Sequence, residues 1–202
     1  MNMLKILIND PDLLFRRGMK YFLSDFFCKR FNRHVEFITD YTSENIADAD
    51  VIILSLCNGE RYICLPELRA RQKGIIIGLV DEEDDSRISP SCFADIVYIL
   101  RREPLSEITR KLTFAWQKWI EIQEFQGYKS CFGWKHVSLS LTQLEIITGL
   151  NKGYSFQEVA INMNITYKTV TTHKYLIMRK FCLRNDYDLF RFLGRLNQKS
   201  AI

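Results

Sequence analysis

The sequence predicts a doubly wound five-stranded parallel α/β domain followed by a smaller all-α domain of four helices. Three observations predict it. Short β-branched runs alternate with helix-spaced or loop stretches over the first 125 residues, no strand pattern occurs between Leu139 and Leu196, and the charge balance changes between the two regions. Strands separated by helical or loop stretches imply right-handed crossovers and a parallel sheet covered on both faces.

Leu4–Ile8 is the first β-rich run, and Asn9-Asp10-Pro11-Asp12 stops it and offers groups that start a helix. From Leu13 the apolar residues Leu14, Met19, Phe22, Leu23, Phe26 and Phe27 recur at helical spacing. Val35–Thr39 reads as the second strand. Asp50–Leu56, with its unbroken Val-Ile-Ile-Leu, reads as a third strand buried on both faces, and Ile75–Val80 and Asp95–Leu100 as the fourth and fifth. After Pro104, a favoured first-turn residue, Leu105, Ile108, Leu112, Ala115, Trp119 and Ile122 step by three and four toward Phe125. Phe114, Trp116 and Ile120 widen that apolar face beyond one stripe, which leaves room for a second partner besides the helix's own sheet. Two glycines, Gly127 and Gly133, mark residues 126–136 as a short aromatic linker.

The chain has 202 residues, 47% of them hydrophobic, which excludes a disordered or collagen-like protein. No apolar run approaches the roughly 20 residues that span a bilayer. The first residues enter a strand pattern without a signal-type segment, so a soluble, cytoplasmic protein with no membrane partner is expected. None of the six cysteines forms a Cys-x-x-Cys pair and the three histidines do not cluster with them, so neither a metal nor a cofactor is expected. Lys135–Ile202 holds ten of the 28 basic residues and four of the 24 acidic ones, leaving 18 against 20 in the front 134 residues. A basic third behind a near-neutral front suits a polyanion-binding module attached to a regulatory one.

The motif with functional content lies in that basic third. Ser155 caps a short helix that turns Val159 and Ala160 inward, and Thr166 caps a second helix whose buried stripe is Val170, Ile177 and Phe181. The opposite face of the second helix carries Lys168, Thr171, Thr172, Lys174, Tyr175 and Arg179. Two short helices joined by a tight turn, the second polar and basic outside, form a helix-turn-helix able to enter a major groove.

Through Leu139-Ser140, Glu145, Gly153, Ser155, Glu158, Ala160, Thr169-Val170, His173, Ile177, Lys180 and Asn185, residues 139–196 resemble, without gaps, the DNA-binding domain of LuxR/FixJ (NarL-type) transcription regulators. Gln143, Phe156 and Leu176 depart from the usual Glu, Asn and Asn. The resemblance implies that Tyr167–Phe181 is the recognition helix. Thr171, Thr172 and Tyr175 then fall where base edges are read, Lys168, Thr169, His173 and Lys174 are candidates for phosphate contacts, and Asp186–Leu196 matches a fourth helix often used for dimerisation.

The front domain is similar to the receiver domain that commonly precedes this module, but its chemistry departs from it. Anchored on Gly18, Asp10 matches the first metal-binding acid and Pro11 takes the place of the second. Ser55 stands at the phosphoacceptor Asp, Leu79 at the hydroxyl position and Leu100 at the lysine. A proline side chain supplies no oxygen ligand, and an unactivated serine is no equivalent acceptor. The reading is therefore a pseudo-receiver over residues 1–125 with an extended last helix, a linker at 126–136, and a helix-turn-helix domain at 137–202. A rescue in which Asp12 supplies a metal ligand and Arg101 the lysine's charge is the competing view of the same residues.

Both halves resemble the unphosphorylated co-regulators that join a complete response regulator at bacterial promoters, such as the auxiliary regulators of capsule synthesis. The expected partner is double-stranded DNA, with a homodimer, or a heterodimer with another LuxR-type response regulator, as the binding unit. Two other readings are a regulator responsive to a cyclic dinucleotide, and an interaction protein that modulates a partner regulator without contacting DNA. No nucleophile–base pair and no Gly-rich phosphate loop appears, so no enzyme is expected. Direct phosphate contact carries a measurable signature: log affinity for DNA falls linearly with log salt, by about 0.9 per phosphate neutralised. A titration that is flat in salt rejects it.

Overall fold

The computed structural model describes residues 3–81, 95–122 and 139–200, which form two compact units. Residues 3–56, 65–81 and 95–122 make the first. Residues 57–64 group with 139–200 in the second.

The first unit runs β1 (Leu4–Asn9), α1 (Leu13–Phe31), β2 (Val35–Ile38), α2 (Ser43–Asp48), β3 (Val51–Ser55), β4 (Ile75–Val80), β5 (Ile96–Leu100) and α3 (Leu105–Ile122). All ladders are parallel and the strand order is β2-β1-β3-β4-β5. Every residue of β3 and β4 is buried, as their unbroken apolar runs require of strands covered on both faces. Asp12 starts α1, its Oδ1 accepting from the Leu14 and Phe15 amides at 2.9 and 3.0 Å. Met19, Leu23, Phe26 and Phe27 of α1 and Ile108, Leu112, Ala115 and Trp116 of α3 then pack on Leu4, Ile6, Ile8, Val51 and Ile53. Phe27 meets Trp116 edge-on with ring centroids 5.2 Å apart, a favoured aromatic geometry.

This arrangement brings the carboxyl ends of β1 and β3 together at the point where the strand order reverses, where doubly wound sheets place their ligand sites. The connection from β3 to β4 contains two 3₁₀ turns, Glu60–Tyr62 and Pro66–Ala70, and no α-helix. Gly59, at φ 92°, and Pro66 bracket the stretch and allow only single turns. The helix expected to reach Phe125 is described to Ile122, and residues 123–125 and the 126–136 linker lie outside the described residues. Of its widened face, Trp116 is buried against the sheet whereas Phe114 and Ile120 are exposed, and Leu105 and Ile122 at the two ends of the stripe are exposed as well.

The second unit contains α4 (Leu141–Asn151), α5 (Phe156–Asn162), α6 (Tyr167–Lys180) and α7 (Asp186–Ser200). Capping boxes start α4 and α5: Ser140 pairs with Gln143, and Ser155 with Glu158. The Ser155 amide, donating to Glu158 at 2.7 Å, holds that carboxyl below the usual glutamate range. Thr166 caps α6 by accepting from the Thr169 amide at 3.1 Å. Gly153, Asn164 and Cys182, all at positive φ, turn the chain between helices. Ile146, Ile147, Val159, Ala160, Val170, Ile177, Phe181, Leu189 and Phe192 form the core, as the expected stripe of α6 requires. Residues 57–64, read from the sequence as part of the first domain, contribute Cys57 and Tyr62 to this core. Burial beside Glu60 pushes the Cys57 thiol up to about 12.

Two glycines give opposite predictions. A Cβ on Gly74, at φ 77°, would lie 2.1 Å from the Asp50 carbonyl oxygen. A Cβ on Gly18 in α1 meets nothing within 4 Å. In urea titrations Gly74→Ala lowers stability by at least about 2 kcal/mol, whereas Gly18→Ala raises it by about 0.5–1 kcal/mol.

Candidate functional site

At the carboxyl end of the sheet, Asp10 is 3% exposed and its side chain is fully enclosed. Its Oδ1 accepts from the Asp12 amide at 2.8 Å, and its Oδ2 is paired with the Arg101 guanidinium. The same Arg101 nitrogen donates to the Ser55 hydroxyl at 2.7 Å, the Arg101 Nε lies 3.5 Å from Asp81, and the guanidinium sits 4.5 Å from the Phe15 ring centroid. One cation thus joins the ends of β1 and β3 from just beyond β5. Its planar fork suits two acceptors at once, and its face suits the ring.

Pro11 is exposed, Leu79 is 1% exposed inside the sheet, and Leu100 is half-buried. The Asp12 carboxylate is engaged in starting α1, as its two amide bonds show. Arg101, to which the competing view gives the lysine's charge, is thus bonded to Asp10 and Ser55, while Asp12 is taken up by the start of α1. Among the described residues no group of three or more His, Cys, Asp or Glu side chains could hold a metal ion.

In the second unit, burial of Val170, Ile177 and Met178 turns the other side of α6 outward. Lys168, Thr172, Tyr175 and Arg179 are exposed, and Thr169 and Thr171 are half-buried. Thr171 Oγ1 donates to the Tyr167 carbonyl at 3.0 Å and Thr172 Oγ1 to the Lys168 carbonyl at 2.9 Å. Those hydroxyl protons are engaged by the helix, so each threonine presents oxygen lone pairs and a methyl group outward. Both suit a base edge, the lone pairs an exocyclic amine and the methyl the C5-methyl of thymine. Thr169 shares its hydroxyl with that of Thr166 at 2.9 Å.

Two positions differ from a free polar face. His173 is half-buried, and its Nδ1 is buried with no hydrogen-bond partner. Lys174 is turned toward α7, where its ammonium meets both Asp186 oxygens at 2.8 and 3.0 Å. Sequence reading missed this pair. Residues 174 and 186 are twelve apart on different helices, and no helical spacing rule joins them.

Residues 137–193 match the family described as bacterial regulatory proteins, luxR family. No curated relative matches the chain. The solved structures that resemble the chain include several of RcsB on DNA. A two-component response regulator RcsB–DNA complex is 18% identical, with 96% of this chain and 98% of that one covered and a TM-score of 0.52. A structure of two RcsB dimers bound to two parallel DNAs is 17% identical, with the same 96% and 98% coverage and a TM-score of 0.56. The fold is shared with these proteins, a five-stranded parallel receiver-like sheet followed by a helical domain, and the C-terminal segment is a LuxR-family helix-turn-helix domain. No described helix is long and apolar enough to cross a membrane.

The buried Asp10–Arg101 pair makes its own prediction. Arg101→Met strands the enclosed carboxylate and costs about 3–5 kcal/mol in urea unfolding, whereas Asp10→Asn with Arg101→Met recovers most of that loss. A single variant as stable as the parent refutes the assignment.

Proposed function

We propose that this chain, with its LuxR-family helix-turn-helix domain, is a sequence-specific DNA-binding transcription regulator whose receiver-like unit works without phosphorylation. The single observation that carries the reading is the outward face of α6. Lys168 and Arg179 bracket Thr171, Thr172 and Tyr175 on the side opposite the buried stripe, so cations for phosphates flank groups for base edges. The solved RcsB structures, in which that protein is bound to DNA and is dimeric, support double-stranded DNA as the partner and a dimer as the binding unit.

The case against phosphoryl transfer rests on Ser55 and Arg101. The Ser55 oxygen accepts a guanidinium hydrogen bond, and among the described residues no carboxylate or histidine is bonded to its proton to activate it. The neighbouring carboxylate, Asp10, is already neutralised by the same cation. The receiver-like unit then serves dimerisation, pairing with a second LuxR-type regulator, or ligand sensing in the cytoplasm, rather than a chemical switch.

Two measurements test this. Incubation with acetyl phosphate and Mg²⁺ leaves the intact mass unchanged, and a phosphoryl adduct overturns the non-phosphorylated reading. Selection of genomic fragments by the purified protein enriches an inverted repeat with half-sites about one helical turn apart. Enrichment only when a complete response regulator is added assigns the heterodimer, and no enrichment in either case rejects direct DNA contact.

A further inference from the structure

We infer that Lys174 is a positioning residue that aims Tyr175 and joins three helices, and that it does not neutralise a DNA phosphate. The inference rests on the DNA-binding reading above and assigns one residue of that surface a different task.

A phosphate-contacting lysine needs an ammonium that reaches solvent and is free to exchange water for an anion. The Lys174 side chain is only 11% exposed although it starts from the outward part of α6. Its ammonium is bound by both oxygens of Asp186, in the first turn of α7. The same nitrogen lies 5.2 Å from the centroid of the Phe156 ring, which opens α5, and 4.9 Å from that of the neighbouring Tyr175 ring. Phe156 in turn meets Phe190 of α7 at 6.4 Å. One cation therefore touches α5, α6 and α7 together.

Charge accounting points the same way. Asp186 is half exposed, and without Lys174 it would present a bare carboxylate beside a polyanion. Moving the ammonium to a phosphate would strip Asp186 of its partner and both rings of their cation, so the exchange gains little. Tyr175 is 60% exposed, and a cation against its face restricts where the phenol points. A fixed phenol reads a base edge more selectively than a free one, because less freedom is lost on binding.

The test compares Lys174→Met, Lys174→Arg and Asp186→Asn with the parent protein on the selected site and on a scrambled duplex across a salt series. A positioning role predicts that Lys174→Met lowers the ratio of specific to scrambled binding about tenfold and leaves the salt slope within about half a unit of the parent's. Lys174→Arg restores the ratio. Asp186→Asn, which frees the ammonium, also lowers the ratio and steepens the slope. A Lys174→Met slope shallower by about one, with equal loss on both duplexes, overturns the inference in favour of a phosphate contact. An unchanged ratio with an unchanged slope overturns it as well.

The free protein supplies an arm independent of DNA. If the clamp exists, the combined Lys174→Met, Asp186→Asn variant melts no lower than the worse single variant, because both changes break one interaction. Additive losses in melting temperature overturn the clamp whatever the DNA results. Failure of the parent to bind any fragment rejects the DNA-binding reading itself and leaves this melting comparison to decide the clamp.

Discussion

A helix can bury an apolar stripe on only one side, and the helical unit depends on how completely α6 does so. Val170, Ile177 and Phe181 are each no more than 2% exposed, against a core built from α4, α5 and α7. That burial fixes the rotation of α6 about its axis, and the rotation decides which side chains face outward. The capping boxes of α4 and α5 and the Thr166 cap set where each helix begins, so the stripe arrives in register with its partners. The outward chemistry of the helix is thus a consequence of what its inward side requires.

The two units share an economy in their cations. Arg101 is committed to Asp10, Ser55 and Phe15, and Lys174 to Asp186, Phe156 and Tyr175. Each combines a carboxylate with an aromatic face, an environment that lets a charge leave bulk water without being stranded. Each also connects elements that are separate in the chain. A count of basic residues therefore overstates the charge available to a polyanion, since committed cations no longer release counterions from DNA.

Much of this was legible in the residues. The unbroken apolar runs of β3 and β4 announced strands buried on both faces, and Ser155 and Thr166 marked their helix starts because capping is a local interaction. The stripe of α6 was readable because its period is set by the helix itself. What could not be read is long-range. The sequence offered Arg101 as a stand-in charge but not its bonds to Asp10 and Ser55, 91 and 46 residues away; Lys174 and Asp186 meet across two helices, and residues 57–64 join a core whose other members begin more than 70 positions later. Pattern rules see neighbours in sequence, whereas these contacts exist only after the sheet order and helix packing are in place. The 3₁₀ turns between β3 and β4 were ambiguous for a different reason, since a glycine and a proline forbid a long helix without saying what replaces it.

The Arg101 guanidinium has one more consequence. A phosphoryl group on an aspartate is a signal with a lifetime: it is installed, it hydrolyses, and the protein remembers the stimulus only for that interval. An arginine is part of the chain and is present from synthesis to degradation. On the proposed reading, the unit built around Asp10, Ser55 and Arg101 keeps no clock of its own. The duration of any response then passes to the processes that make, remove or occupy the protein, and a cell lengthens or shortens it by changing turnover instead of chemistry at the sheet.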